Sequence, residues 1–231
     1  MANKDFWTPQ LEAKLFAWHQ IQQIADQQKP APCFTIAREF GCQAYPLAEA
    51  LIKRLNARVA GEPWVIIGQQ VLDEVATLSG YSVEQIEKSQ DTPSSLKAIF
   101  SMFLDSSRAE ETAVFAHMRN VIYGFAKRGN CVLVGHGGVA AAQDLKNCIH
   151  LRLVAPFDFR VNKIMRTHNL KQAEAEQFIA LHQQQRDDFI KRFTAERLDD
   201  PLLYHLVINN SRLSVAAMAE LVEEYMVVTH S

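Results

Sequence analysis

One stretch carries the strongest chemical signal in this sequence. It runs Phe34-Thr-Ile-Ala-Arg38-Glu-Phe-Gly41-Cys42-Gln43-Ala44-Tyr45-Pro46-Leu47 and continues to Leu55. It reads as a short apolar strand, a turn at Gly41 and a helix with Leu47, Leu51 and Leu55 on one stripe. That is the layout of a phosphate-binding loop. In such a loop glycines let backbone N–H groups wrap phosphates, a lysine bridges them, and a hydroxyl holds magnesium. Here Gly41 is the glycine that remains, and Gln43-Ala44-Tyr45 stand where glycine, lysine and serine would be. By the motif alone, a plain strand–turn–helix connection is the simpler reading. Without the lysine, anions at this loop depend on backbone N–H groups, the helix N-terminus and arginines such as Arg38.

Other cations are candidates for the same chemistry. Arg160, Lys163 and Arg166 fall at spacing three after Pro156, on one helix face. Such a face either holds phosphate or is simply solvated. Arg186, Lys191, Arg192 and Arg197 fall within a polar segment. Phosphoryl transfer works mainly through positioning and positive charge over the transferred group, which a closing flap supplies. Asp187, Asp188 and Glu196 could instead pair these cations on a surface helix. Arg108 and Arg119 could each hold an acceptor phosphate, though for either one singly a helix-surface role is simpler. The eight histidines show no paired ligand spacing, so no metal site is expected. His136, flanked by Gly135 and Gly137 at a strand end, is placed where ligands bind. No Gly-x-Ser-x-Gly elbow or catalytic Cys–His motif occurs.

The elements that must position these residues follow from hydrophobic pattern. Five apolar runs, 33–37, 64–67, 131–135, 149–154 and 204–208, read as strands covered on both faces. Helical stripes separate them: Val114, Met118, Val121, Ile122 and Phe125 in one, and Val215, Met218, Leu221, Val222 and Tyr225 in another. Strands alternating with helices imply a three-layer α/β domain with a mostly parallel sheet of about five strands, with ligands beyond the strands' carboxyl ends. Residues 1–30 are expected as a helical extension ahead of the domain at 31–231. Within the extension, 8–28 form a helix capped by Thr8-Pro9 with a Leu11/Leu15/Trp18 stripe. That stripe packs on the domain or across a dimer interface. Residues 77–107 are expected as an acceptor-side helical insert and 170–200 as a lid.

Bulk properties exclude some partners. At 231 residues, 48% hydrophobic, 22% charged and with a net charge of -2, the chain is an ordinary globular sequence. It has no global attraction to nucleic acid or acidic membranes. Cys33, Cys42, Cys131 and Cys148 form no Cys-x-x-Cys pair, and Cys33 and Cys131 read as buried thiols. There is no secretory signal and no 18-residue apolar run, so a cytoplasmic location is expected.

Taken together, several blocks resemble the cytidylate kinase-like family. Ala37-Arg-Glu-Phe-Gly41 followed by Leu47-Ala48 is similar to its opening. Asn130-Cys-Val-Leu-Val-Gly-His-Gly-Gly138 is similar to its glycine-containing strand and turn, with His136 in place of an arginine. His150 to Arg160 resembles its strand, Ala-Pro and helix arginine. Arg186 to Arg192 and Asp199 to Ser214 resemble its lid and closing strand. The likeness covers roughly 33–222. It implies a P-loop-type kinase domain that phosphorylates a small molecule, such as the nucleoside monophosphate CMP, using ATP and magnesium. It implies that Arg38 and Gly41, Cys42, Gln43, Ala44 and Tyr45 cradle donor phosphates. Arg186 and Arg192 would stabilise the transferring group, and Arg108, Arg119 and His136 would lie on the acceptor side. The alternative is a non-catalytic module on the same fold that binds a nucleotide or a protein.

Overall fold

The computed structural model describes residues 30–58, 61–68, 119–135, 137–193 and 198–230, with backbone only at 189–193 and 230. The expected N-terminal helix, the insert at 77–107, Arg108 and His136 lie outside these residues.

In chain order the elements are β1 (Cys33–Arg38), α1 (Ala44–Asn56), β2 (Val65–Ile67), a helix over 119–128 (α2), β3 (Cys131–Val134), α3 (Gly138–Ala142), β4 (Cys148–Val154), α4 (Phe157–His168), α5 (Gln172–Phe193), a short 3-10 turn (Pro201–Leu203), β5 (Leu206–Asn209) and α6 (Val215–His230). The sheet has the order β2-β3-β1-β4-β5, and every pairing is parallel. All five strands therefore end at the same edge, where ligands bind in open α/β sheets.

Side chains alternate across the sheet with the period of two that a strand imposes. Phe34, Ile36, Val132, Val134, Ile149, Leu151 and Leu153 face α1 and α6, where Leu47, Leu51, Leu55, Met218 and Val222 complete a core. Cys33, Cys131, Leu133 and Cys148 face the other side, against Ile122, Ala126 and Ala142. A buried Leu or Ile contributes about 1.5–3 kcal/mol, so the two faces together hold the sheet rigid. In the α6 stripe Met218 and Val222 are buried, but Leu221 is exposed. The apolar face is thus narrower than the sequence pattern suggests.

A third, smaller core decides the site. Val161 and Ile164 of α4 and Ala175 and Ile179 of α5 pack together, and Phe40, from the loop after β1, inserts among them with Phe178. The Phe40 and Phe178 rings meet edge-on at 5.7 Å, a favoured aromatic geometry. The first half of the expected lid is therefore a helix packed onto the loop.

Candidate phosphate-binding site

The ends of all five strands and their loops converge on the β1–α1 turn. Gly41 has φ +94, and a Cβ there would come within 2.8 Å of the Arg160 Cβ. Only glycine accepts both that conformation and that approach, so α4 can press against the loop. Arg160 locks it from outside. Its guanidinium bonds the Ala155 and Phe40 carbonyl oxygens at 3.1 and 3.3 Å and lies 3.6 Å from Glu39. Glu39 in turn accepts from the Ala155 N–H at 2.9 Å. Of the cationic face on α4, Arg160 is thus a structural clamp, Lys163 lies over the Phe159 ring, and Arg166 is exposed.

Side chains of the protein itself occupy two of the loop's N–H groups. Phe40 donates to the Gln183 side chain at 2.8 Å, and Gln43 donates to Asn210 at 2.7 Å. The Cys42 and Ala44 N–H groups turn back on the Glu39 and Cys42 carbonyls. The described cradle is therefore largely closed on itself.

The charge at the loop comes from arginines. Arg38, at the end of β1, reaches across to β3: a Cβ on Gly135 would overlap its Nη1, at 1.7 Å. Gly135, at φ +81, leaves room for it. The Arg38 guanidinium also lies 5.9 Å from the Tyr45 ring centre. Arg186, on α5, stands 4.6 Å over the Phe40 ring. Both feel Tyr45 and Cys42 as electrostatic neighbours, and Arg186 feels Arg38 directly. Burial first, and then the Arg38 charge, pull Arg186 down to about 9. Burial likewise lowers Arg38. A delocalised guanidinium stays protonated at neutral pH in either case, so two like charges sit side by side.

Neither forms an ion pair among the described residues, although Asp187 attracts Arg186 through space. The ion pairs there join Arg54 and Arg58 to Glu223, Arg128 to Glu62 and Arg160 to Glu39. The Arg186 Nη1 is cut off from solvent and bonded to nothing. A buried unsatisfied donor costs about 1–3 kcal/mol, and more when charged, so such a group calls for an explanation. An anion supplies one. Cys42, between these groups, is no nucleophile: burial and Glu39 push its thiol up to about 12, against the opposing pull of Arg160, Arg186 and Arg152.

Tyr45 does not occupy a small hydroxyl's place. Its oxygen rests against Gly68 at the end of β2, where a Cβ would be 2.5 Å away. β3 ends in Val134-Gly135 without a carboxylate, and Glu39 is engaged as described. Among the described residues no group of three or more His, Cys, Asp or Glu side chains could hold a metal ion. These residues do not fit the magnesium that the resemblance implies.

The structure thus brings together Arg38, Gly41, Cys42, Gln43, Ala44, Tyr45 and Arg186. Arg192 lies further along α5, where only the backbone is described, and Arg119 is exposed at the start of α2. Sequence reasoning missed Phe40, Gln183 and Asn210. Nothing in a sequence marks a glutamine on a polar helix as the partner of a loop amide 143 positions away.

The fold and this site define a P-loop kinase-like α/β protein. The chain belongs to the cytidylate kinase-like family, whose profile matches residues 33–212. No curated protein matches it. Among solved structures, an uncharacterized protein from Eubacterium ventriosum superposes with a TM-score of 0.63 at 16% identity, covering 85% of this chain and 98% of that one. A Thermus thermophilus protein superposes at 0.50 with 14% identity, covering 86% and 98%. These likenesses concern the fold. Among the described residues no helix is long and apolar enough to cross a membrane.

Proposed function

We propose that the protein binds a phosphate-bearing small molecule between Arg38 and Arg186 and transfers a phosphoryl group from ATP to an acceptor such as CMP. The observation that carries this is the solvent-excluded, unpartnered Nη1 of Arg186 beside a second unpaired cation at the β1–α1 loop. Arg38 and residues 41–45 face the donor phosphates, and Arg186 stabilises the transferring group. Arg192 joins it from further along α5, and Arg108, Arg119 and His136 are the acceptor-side candidates. The missing lysine removes a charge at the transferring group, so turnover is slow. A coupled assay with ATP and a panel of nucleoside monophosphates tests this. Slow turnover of at least one acceptor, lost in Arg186→Gln, is expected. No turnover of any acceptor overturns the catalytic reading.

A second reading has its own support. The Gln183 and Asn210 side-chain oxygens already accept from the Phe40 and Gln43 amides, which suits a module that binds a nucleotide without processing it. Nucleotide binding with no turnover favours this reading.

A further inference from the structure

We infer that the Arg38–Arg186 pair takes its phosphate ligand as the free anion, without a divalent cation. The inference rests on the phosphate-binding reading above and specifies the form in which the ligand arrives.

Three observations carry it. First, the residue at the hydroxyl position is Tyr45, whose phenol is turned away against Gly68, so no small hydroxyl is offered to a metal. Second, the carboxylate nearest the loop, Glu39, is held by the Ala155 N–H and by Arg160. Third, the arginines already supply the positive charge that a metal would bring to a phosphate. They are two desolvated cations in mutual repulsion, with one N–H-bearing nitrogen unbonded. A phosphate group carrying its full negative charge satisfies both cations and accepts the orphan donor. A guanidinium matches phosphate with two parallel hydrogen bonds. A divalent cation on the same phosphate would bring two further positive charges into a low-dielectric site that already holds two, and that repulsion weakens binding. The loop cannot compensate readily, because its Phe40 and Gln43 amides are engaged.

The test is calorimetric titration of the full chain with inorganic pyrophosphate, once in EDTA and once in excess magnesium. Binding in EDTA is expected to be as tight as in magnesium or tighter. Arg38→Gln and Arg186→Gln are each expected to weaken it about tenfold or more. Arg186→Lys should recover part of the loss, and Arg166→Gln, an exposed cation on α4, should change nothing. Binding seen only with magnesium overturns this inference and leaves the phosphate site standing. Absence of binding in both conditions overturns the inference together with the phosphate site. Equal loss in Arg166→Gln identifies diffuse anion attraction and also overturns it.

Discussion

Arg38 and Arg186 are unusual because each is half-buried where its charge is a liability. Removing one should not destabilise the free protein as a paired arginine would. Arg186→Gln is expected to leave the melting temperature unchanged or slightly higher, since it relieves an unpaired desolvated charge. A fall of several degrees would mean that the guanidinium is structurally satisfied. The surrounding glycines make a paired prediction. At Gly135 a Cβ meets both a positive φ and the Arg38 guanidinium. Gly135→Ala should therefore cost roughly 1–3 kcal/mol and also displace Arg38, so that pyrophosphate binding falls with stability. At Gly68 the backbone is ordinary and the obstacle is the far end of the Tyr45 side chain. Gly68→Ala should leave stability within about 0.5 kcal/mol while changing ligand affinity. Chemical denaturation and calorimetry on both variants separate these outcomes.

At the scale of elements, α1 and α6 are joined by more than apolar contact. Glu223 of α6 is only 1% exposed and faces Arg54 of α1 and Arg58 in the turn just after it, which are 35% and 59% exposed. The arginines can turn to water, but the carboxylate cannot. Arg54→Ala with Arg58→Ala strands a buried charge and should cost about 3–5 kcal/mol. Glu223→Gln should cost less, because its freed partners are resolvated. Equal losses in urea denaturation would contradict this asymmetry. The α4–α5 pair works differently. It fixes the loop through Phe40, the Gln183 bond and the ring stack of Phe40 on His182 at 4.8 Å. Arg186 is therefore placed by packing as well as by charge.

Across the whole molecule, the strands were legible because buried parallel strands are continuous apolar runs; the five expected runs match the five observed strands to within two residues. The turn at Gly41 was legible because a positive φ demands glycine there. The site was legible only as a set of cations. Which of them pair is decided by tertiary contacts that no local pattern encodes: Arg160 pairs with Glu39, whereas among the described residues Arg38 and Arg186 form no ion pair. A buried histidine adds a property of the whole fold. His150, in contact with Thr35 at 2.9 Å, is pulled down to about 4, by burial first and then by His205. The unfolded chain binds this proton below its ordinary value of about 6.5, and the folded chain only near 4. Stability is therefore full above about pH 6.5 and falls as pH drops toward 4, with a slope of up to about 1.4 kcal/mol per pH unit from this group. In His150→Leu that contribution should vanish from the pH dependence of urea midpoints, whatever the variant's overall stability.

Phosphate held by the arginine pair must stabilise the folded protein. A ligand that binds only the folded state raises stability by RT ln(1 + [L]/Kd). Thermal unfolding of the wild type, Arg38→Gln and Arg186→Gln, each with and without millimolar ATP in EDTA, reads that term directly. If the arginine pair holds phosphate, the wild type shifts clearly upward and the shift disappears in both variants. An equal shift in all three proteins, or none in the wild type, would contradict that role of the pair.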